Sequence, residues 1–195
     1  MAGNPNNASV WAYADVYIGS MDAEIPADGE DFGPDWDAVG LLNGDDGFSE
    51  TMDVDSSDHF AWGGILVATT RSNFKLTRSF TAFEDNQTIF DLVYAGHDVA
   101  FSGDGSYSGD VHVPDLQARF KIAFVTRSGT GSDAQIKRVI SKNYAQVEER
   151  GDAQESETEI SSRAITVAIY PTEEDPETGK STLFSVYKGP LISGS

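Results

Sequence analysis

Apolar and polar residues alternate along much of this chain, which is the pattern of strands that bury one face. Over 74–82, Phe74, Leu76 and Phe80 share one parity, while Lys75 points the other way. The same period of two recurs, with different regularity, in the segments 10–18, 48–55, 119–124, 136–147, 165–169 and 183–187. These segments predict a mainly β fold of seven or more strands.

One segment departs from the period of two and predicts a helix. Asp85 and Asn86 are residue types that cap helix N-termini, and Gly96 follows at a distance of about ten residues. Between them, apolar residues fall at near-helical spacing: Ile89, Phe90, Leu92 and Val93. We therefore expect a β-sandwich or small barrel with one short α-helix packed on it.

Turn-forming residues divide the predicted strands. The run Gly103–Gly109 does not fit a nucleophile elbow and is typical of a tight turn. The run Glu177–Lys180 predicts a hairpin tip that joins the strand at 165–169 to a return strand at 183–187. We expect a single domain over 1–195. Its ends, 1–9 as an N-terminal arm and 193–195 as a tail, are expected to be flexible.

Charge is distributed unevenly along the chain. The first 70 residues contain fourteen Asp and Glu and no Lys or Arg, Arg71 is the first basic residue, and the formal net charge is −19. A concentrated negative field repels phosphates and anionic membranes, whereas a protein that grips DNA needs the opposite sign. The charge therefore argues against phosphate-gripping and membrane-surface functions. A halophilic environment is the alternative explanation of the acidity.

The sequence offers no catalytic, cofactor or metal motif. Its three histidines are far apart, and it contains no cysteine. The segment Asn43–Gly47 resembles part of a calcium loop, but the ligand register of an EF-hand fails and a tight turn is expected instead. No apolar run approaches the ~18 residues of a membrane span, and the start does not resemble a signal peptide. We expect a non-enzymatic protein without cofactor or membrane partner, made in the cytoplasm.

Four ordered segments carry a resemblance to a known family. The first is 36–50, WDAVGLLNGDDGFSE, and it is followed by DHFAWGG at 58–64, TTRSNFK at 69–75 and FEDN at 83–86. Together they resemble the major tail protein, the tail tube subunit, of bacteriophages with long non-contractile tails. The resemblance covers 10–92 in detail. Over 118–169 it rests on the order of the elements.

This resemblance implies a fold, a function and partners. The fold would be a tail tube β-sandwich with a long loop or hairpin extension. The subunit would assemble with itself into hexameric rings that stack into a hollow tube, without an active site. Its other partners would be a tape-measure protein, the tail terminator and tip proteins, and double-stranded DNA that passes without sticking. The protein would belong to the phage virion after synthesis in the host cytoplasm.

The resemblance also suggests which residues meet neighbouring subunits. The segment 36–64 is the expected inter-subunit or inter-ring loop. Its candidate apolar contacts are Val39, Leu41, Leu42, Phe48, Phe60 and Trp62. The alternative is that these side chains fill the subunit's own core, and for Phe48 and Trp62 both interpretations stay open.

Charged strand residues complete the candidate site. Arg71, Lys75 and Arg78 are expected to pair with acids of an adjacent subunit and to fix its register, since charge complementarity sets specificity. Exposed pairs within one chain, worth about 0–1 kcal/mol each, are the alternative. The candidates for an acidic lumen are Glu50, Asp53 and Asp55, which alternate with apolar residues and predict one negative strand face.

A different class of function also fits a β-sandwich without catalytic residues. Carbohydrate-binding and adhesin-like modules have this architecture, and they usually present an aromatic platform or a calcium site. The state of assembly distinguishes the two hypotheses, because a tube subunit polymerises whereas a binding module stays monomeric and retains a ligand.

Overall fold

The computed structural model describes residues 9–129, 134–158 and 160–190, which contain eleven strands and one helix. The predicted arm at 1–9, apart from Ser9, and the predicted tail at 193–195 lie outside the described residues. The elements are β1 (Tyr13–Gly19), β2 (Trp36–Ala38), β3 (Ser49–Ala61), β4 (Ile65–Ala82), α1 (Gln87–Val93), β5 (Ala100–Phe101), β6 (Tyr107–Ser108), β7 (Lys121–Ser128), β8 (Gln135–Ser141), β9 (Ala145–Gln154), β10 (Ser162–Ile169) and β11 (Phe184–Pro190).

Two antiparallel sheets make up most of the structure. A five-stranded sheet has the order β11-β8-β7-β1-β2, and a four-stranded sheet has the order β3-β4-β10-β9. A small hairpin of β5 and β6 forms a third unit. The prediction of a mainly β, sandwich-like fold with one short helix is confirmed.

The core lies between the two large sheets. Ile122 and Phe124 of β7 belong to the same buried cluster as Phe80 of β4 and Ile165 of β10. The alternation along β4 is confirmed from Leu76 onward, because every second residue from there to Ala82 is buried. Phe74 is exposed instead, since it lies before the point where β4 meets its second neighbouring strand.

Helix α1 confirms the predicted helix and its cap. The Oδ1 atom of Asn86 accepts a hydrogen bond from the backbone N–H of Ile89 at 3.0 Å. The Nδ2 atom of Asn86 donates to the carbonyl oxygen of Val39 at 2.8 Å. One side chain thus satisfies an orphan helix donor and also fixes the loop after β2 to the helix. The buried face of the helix is made by Ile89, Phe90, Leu92 and Val93.

The predicted hairpin at Glu177–Lys180 is wrong at the level of pairing. The local reversal exists, since the N–H of Thr172 donates to the carbonyl of Thr182 at 2.8 Å. However, β10 lies between β4 and β9, whereas β11 pairs with β8 in the other sheet. The chain therefore crosses between sheets here, because turn residues fix a reversal of direction and not the partner of the returning strand. The turn predicted at Gly103–Gly109 is confirmed over 103–106, which connect β5 to β6, whereas Tyr107 and Ser108 form strand β6 itself.

Replacing Asn86 by alanine is expected to destabilise the fold by about 2–3 kcal/mol, because the helix loses its cap and a part-buried carbonyl loses its donor. Urea unfolding followed by circular dichroism measures the loss. Asp85→Ala is the matched control, since Asp85 is exposed and precedes the cap. Equal stability of the two variants would contradict the double role of Asn86.

Candidate functional site

The most unusual feature of the structure is a two-stranded ribbon that leaves the sandwich. Strand β10 pairs with β4 only from Leu76 to Ala82, so β3 and β4 continue alone beyond that point. We call residues 53–75 the ribbon. At a rise of about 3.4 Å per residue, it extends about 30 Å from the sheet. Every residue from 49 to 75 is exposed.

A β-bulge lies where the ribbon begins. The register passes from Asp53 opposite Lys75 to Asp55 opposite Ser72, so β4 carries one extra residue. Asn73 adopts a left-handed conformation there, with φ of 53°, and its Nδ2 donates to Asp55 Oδ2 at 2.9 Å. Asn tolerates this conformation better than most residues, and a bulge bends and twists its strand. The bulge therefore sets the direction in which the ribbon leaves the sheet.

The middle of the ribbon is polar and tied together across its strands. Thr69 Oγ1 donates to Asp58 Oδ1 at 2.7 Å, and His59 Nε2 lies 3.1 Å from Thr70 Oγ1. These pairs hold the register of a segment that has no core to define it.

The end of the ribbon is apolar. Five large side chains, which we call the apolar tip, are more than half exposed: Phe60, Trp62, Ile65, Leu66 and Val67. Trp62 is completely exposed, and Gly63 and Gly64 turn the chain beside it with positive φ. An isolated two-stranded hairpin is marginally stable in water, and clustered exposed apolar side chains mark interaction sites. The geometry of the tip fits a surface that another molecule covers.

The predicted apolar contacts fall into three environments. Phe60 and Trp62 lie on the apolar tip, and Leu41 is 67% exposed on the loop after β2. Leu42 and Phe48 are partly buried against the subunit's own core. Val39 is fully buried in that core, so it presents no surface, and here the core alternative is right. The side chain of Asn86 holds Val39 in place by donating a hydrogen bond to its carbonyl oxygen. The sequence does not show that these two distant residues meet.

The predicted cations also lie in different environments. Arg71 lies on the exposed ribbon opposite Ser56 and has no ion-pair partner among the described residues. Lys75 forms an exposed pair with Glu148 of β9 at 2.6 Å, and this hydrogen bond raises the pKa of Lys75. Lys75 is therefore paired within its own chain, as in the alternative of exposed intrachain ion pairs.

Arg78 is a core residue of the four-stranded sheet. It has the inward parity of Leu76 and Phe80, and its side chain is only 10% exposed. Its Nε lies 3.2 Å from Glu50 Oε2, and its guanidinium carbon lies 4.6 Å from the ring centroid of Phe124. Burial lowers the pKa of Arg78, and Glu50 opposes this effect. The principal partners of Arg78 are thus in its own chain.

The prediction that Glu50, Asp53 and Asp55 share one negative face is wrong. Glu50 lies opposite Arg78, on the side of β3 that faces the core, whereas Asp53 lies opposite Lys75 on the other side. Residues 50 and 53 differ in parity, and strand side chains alternate between faces.

A larger negative surface lies on the loop between β1 and β2. This acidic loop, residues 20–35, covers the outer face of the five-stranded sheet, where Ile25 and Phe32 pack against a cluster that contains Trp36. Its exposed carboxylates and that of β2 belong to Asp22, Glu24, Asp28, Glu30, Asp31, Asp35 and Asp37. The charge run is visible in the sequence, but the face that it covers is not.

Two cations hold the acidic loop against the sheet. Lys121 Nζ donates to the carbonyl oxygen of Ala23 at 2.7 Å. Arg138 is 4% exposed, and its Nη1 donates to the carbonyl of Ala27 at 3.4 Å while its guanidinium lies over the ring of Phe32. Burial lowers the pKa of Arg138, and Asp31 opposes this effect. The loop is thus anchored by its backbone carbonyls, which leaves its carboxylates in solvent.

Within the described parts of the chain, no three acidic or histidine side chains are arranged to hold a metal ion. No helix there is long and apolar enough to cross a bilayer.

Comparison with known proteins gives only weak structural likeness. The sequence matches no protein-family model and no curated protein. Among solved structures, the chain is similar to the tube-terminating cap of the anti-feeding prophage, determined by cryo-EM. The alignment covers 89% of this chain and 88% of that chain, with a TM-score of 0.44 and 9% sequence identity. A likeness at this level leaves the function of the chain open.

Reversing the charge of Arg78 is expected to destabilise the fold, whereas reversing that of Arg71 is not. Arg78→Glu places a buried carboxylate beside Glu50 and removes its cation, which costs about 3 kcal/mol or more. Arg71→Glu changes an exposed side chain and shifts the free energy of unfolding by less than about 0.5 kcal/mol. Urea unfolding of both variants measures the difference. Similar losses would contradict the placement of these two side chains.

Proposed function

We propose that this protein is a non-enzymatic structural subunit that assembles with itself into the tail tube of a bacteriophage. The observation that carries the proposal is the ribbon, about 30 Å of exposed two-stranded sheet that ends in five exposed apolar side chains. Such a ribbon contributes little to the stability of its own subunit. Its cost to solubility is accounted for if neighbouring copies cover it in an assembly.

Sequence and fold support the specific form of the assembly. The segments that resemble the major tail protein family include both ends of the ribbon and the entry to α1. The proposed assembly consists of hexameric rings stacked into a hollow tube, built around a tape-measure protein and closed by terminator and tip proteins. The subunit is made in the host cytoplasm and becomes part of the virion.

The charge of the subunit suits a tube for DNA. Double-stranded DNA carries dense negative charge, and a basic wall would bind it through phosphate contacts and counterion release. A lumen lined by carboxylates instead repels the phosphates and lets DNA pass. The acidic loop at 20–35 and the exposed pair Asp53 and Asp55 are the surfaces that we propose for this role.

The assembly state of the purified chain tests the proposal. Hollow filaments or stacked rings in negative-stain electron microscopy, with matching growth in light scattering, are the expected result at high protein concentration. A chain that stays monomeric at every concentration and salt, and that retains a glycan from an array, would instead support the alternative of a carbohydrate-binding or adhesin-like module.

The double variant Phe60→Ser and Trp62→Ser is expected to abolish assembly without unfolding the subunit. Both side chains are exposed, so the fold loses no core contact, whereas aromatic anchors at an interface commonly contribute more than 2 kcal/mol each. Light scattering measures the critical concentration, which should rise about tenfold or more.

Val113→Ser is the matched control for this variant, because Val113 is 94% exposed outside the ribbon. Unchanged assembly of the double variant, or an equal loss in the control, would contradict a role for the apolar tip.

A further inference from the structure

A cleft opens at one end of the sandwich, close to the base of the ribbon. We call it the intersheet cleft, and its volume is about 570 Å³, within the range of about 300–1,000 Å³ that is common for ligand pockets. Its lining includes residues of both large sheets and of the loop after β2: Phe48, Arg78, Phe124, Thr126, Lys137 and Leu41. The cleft separates the two sheets at a place where they would otherwise pack against each other, so the chemistry of the residues that line it decides what it could bind.

Aromatic rings and two cations line the cleft, together with polar residues and one acidic residue, Asp15. The rings of Phe48 and Phe124 pack edge to face with centroids 5.1 Å apart. Arg78 lies over Phe124, and its Nη1 is buried without a hydrogen-bond partner in the described parts of the chain. Lys137 is half-buried and has no ion pair there. Arg78 already has an ion pair within its own chain, so Lys137 is the cation of this aromatic cleft that no ion pair in the described parts of the chain matches. In a chain of net charge −19, this combination favours an occupant that brings an aromatic ring and an acidic group.

We propose that the intersheet cleft is the docking site for the apolar tip of a second copy of this chain. The tip supplies the matching chemistry, because Trp62 is completely exposed in the turn after β3 and Asp58 lies four residues before it, near the end of β3. Trp62 seats against Phe48 and Phe124 with its ring facing Arg78, and Asp58 approaches Lys137. This inference rests on the proposed self-assembly and names the surface that receives the ribbon.

Geometry requires that the tip comes from another copy. Strand β4 is continuous from Ile65 at the tip to Arg78 in the cleft, which is about 40 Å of extended chain at the usual rise. A paired ribbon does not fold back over that distance, so a subunit cannot fill its own cleft. Tip and cleft are different surfaces, and the contact is therefore head to tail, which propagates into rings or filaments instead of stopping at a dimer.

Cysteine cross-linking tests the contact directly, since the chain contains no cysteine. Full-length Ala61→Cys keeps Trp62 and places a thiol on the tip, and full-length Thr126→Cys places one in the cleft. Mixing the two proteins under mild oxidation is expected to give a disulfide-linked heterodimer. Val113→Cys, at an exposed site outside the cleft, is the matched control and is expected to give none with the tip variant.

The outcomes separate this inference from the proposed function. Filaments without the tip–cleft cross-link, or cross-links only between two Ala61→Cys tips, would overturn the cleft as receptor and leave self-assembly intact. A cross-link that appears only after removal of residues 1–8 would overturn it too, because the chain's own start would then occupy the cleft. Absence of both assembly and cross-link under every condition would overturn both proposals.

A charge exchange provides a second test. Lys137→Glu is expected to weaken association about tenfold or more, and Asp58→Lys in the same chain is expected to restore it, as paired charges do across interfaces. Lys180→Glu on the exposed turn is the control for the change in net charge. Weakening by Lys137→Glu without rescue by Asp58→Lys would contradict the pairing.

Discussion

The structure depends on where strand β4 loses its second neighbour. Strand β4 pairs with β10 over its last seven residues and with β3 up to Ser79, and its inward side chains in this part build the core. Before Leu76 it pairs with β3 alone, so neither face of the two strands is covered. One strand thus serves as a core strand at one end and an exposed ribbon at the other. The Asn73 bulge marks the transition and aims the ribbon.

This division explains why residues close together in sequence have different roles. Arg71, Lys75 and Arg78 lie within eight positions of one another, yet their surroundings differ. The first is exposed on the ribbon without an ion pair among the described residues, the second is paired at the surface and the third is buried. Burial converts the last of them into a structural group whose charge is matched by Glu50 and by the ring of Phe124. The proposed assembly uses the same strand twice, with the tip as donor and the cleft around Arg78 as acceptor.

The position of the negative surface depends on how the acidic loop is held against the five-stranded sheet. The acidic loop is held by backbone carbonyls that accept from Lys121 and Arg138 and by packing of Phe32 and Trp36. Its carboxylates stay exposed to water, although Asp31 still interacts electrostatically with Arg138. The exposed carboxylates therefore give this face of the subunit a negative field, which repels phosphates.

The sequence by itself determined the strand-rich fold, the position of α1 and its Asn86 cap, and the turn at 103–106, because each depends on local periodicity or on hydrogen bonds within a few residues. Only the tertiary structure decided that β11 joins β8, that Val39 and Arg78 are buried, and that Glu50 lies opposite Arg78 of β4. These facts depend on which distant strands pair and where the pairing stops. Period-two patterns look alike in a core strand and in a free ribbon, since alternation reports the pleat and not the presence of a neighbour.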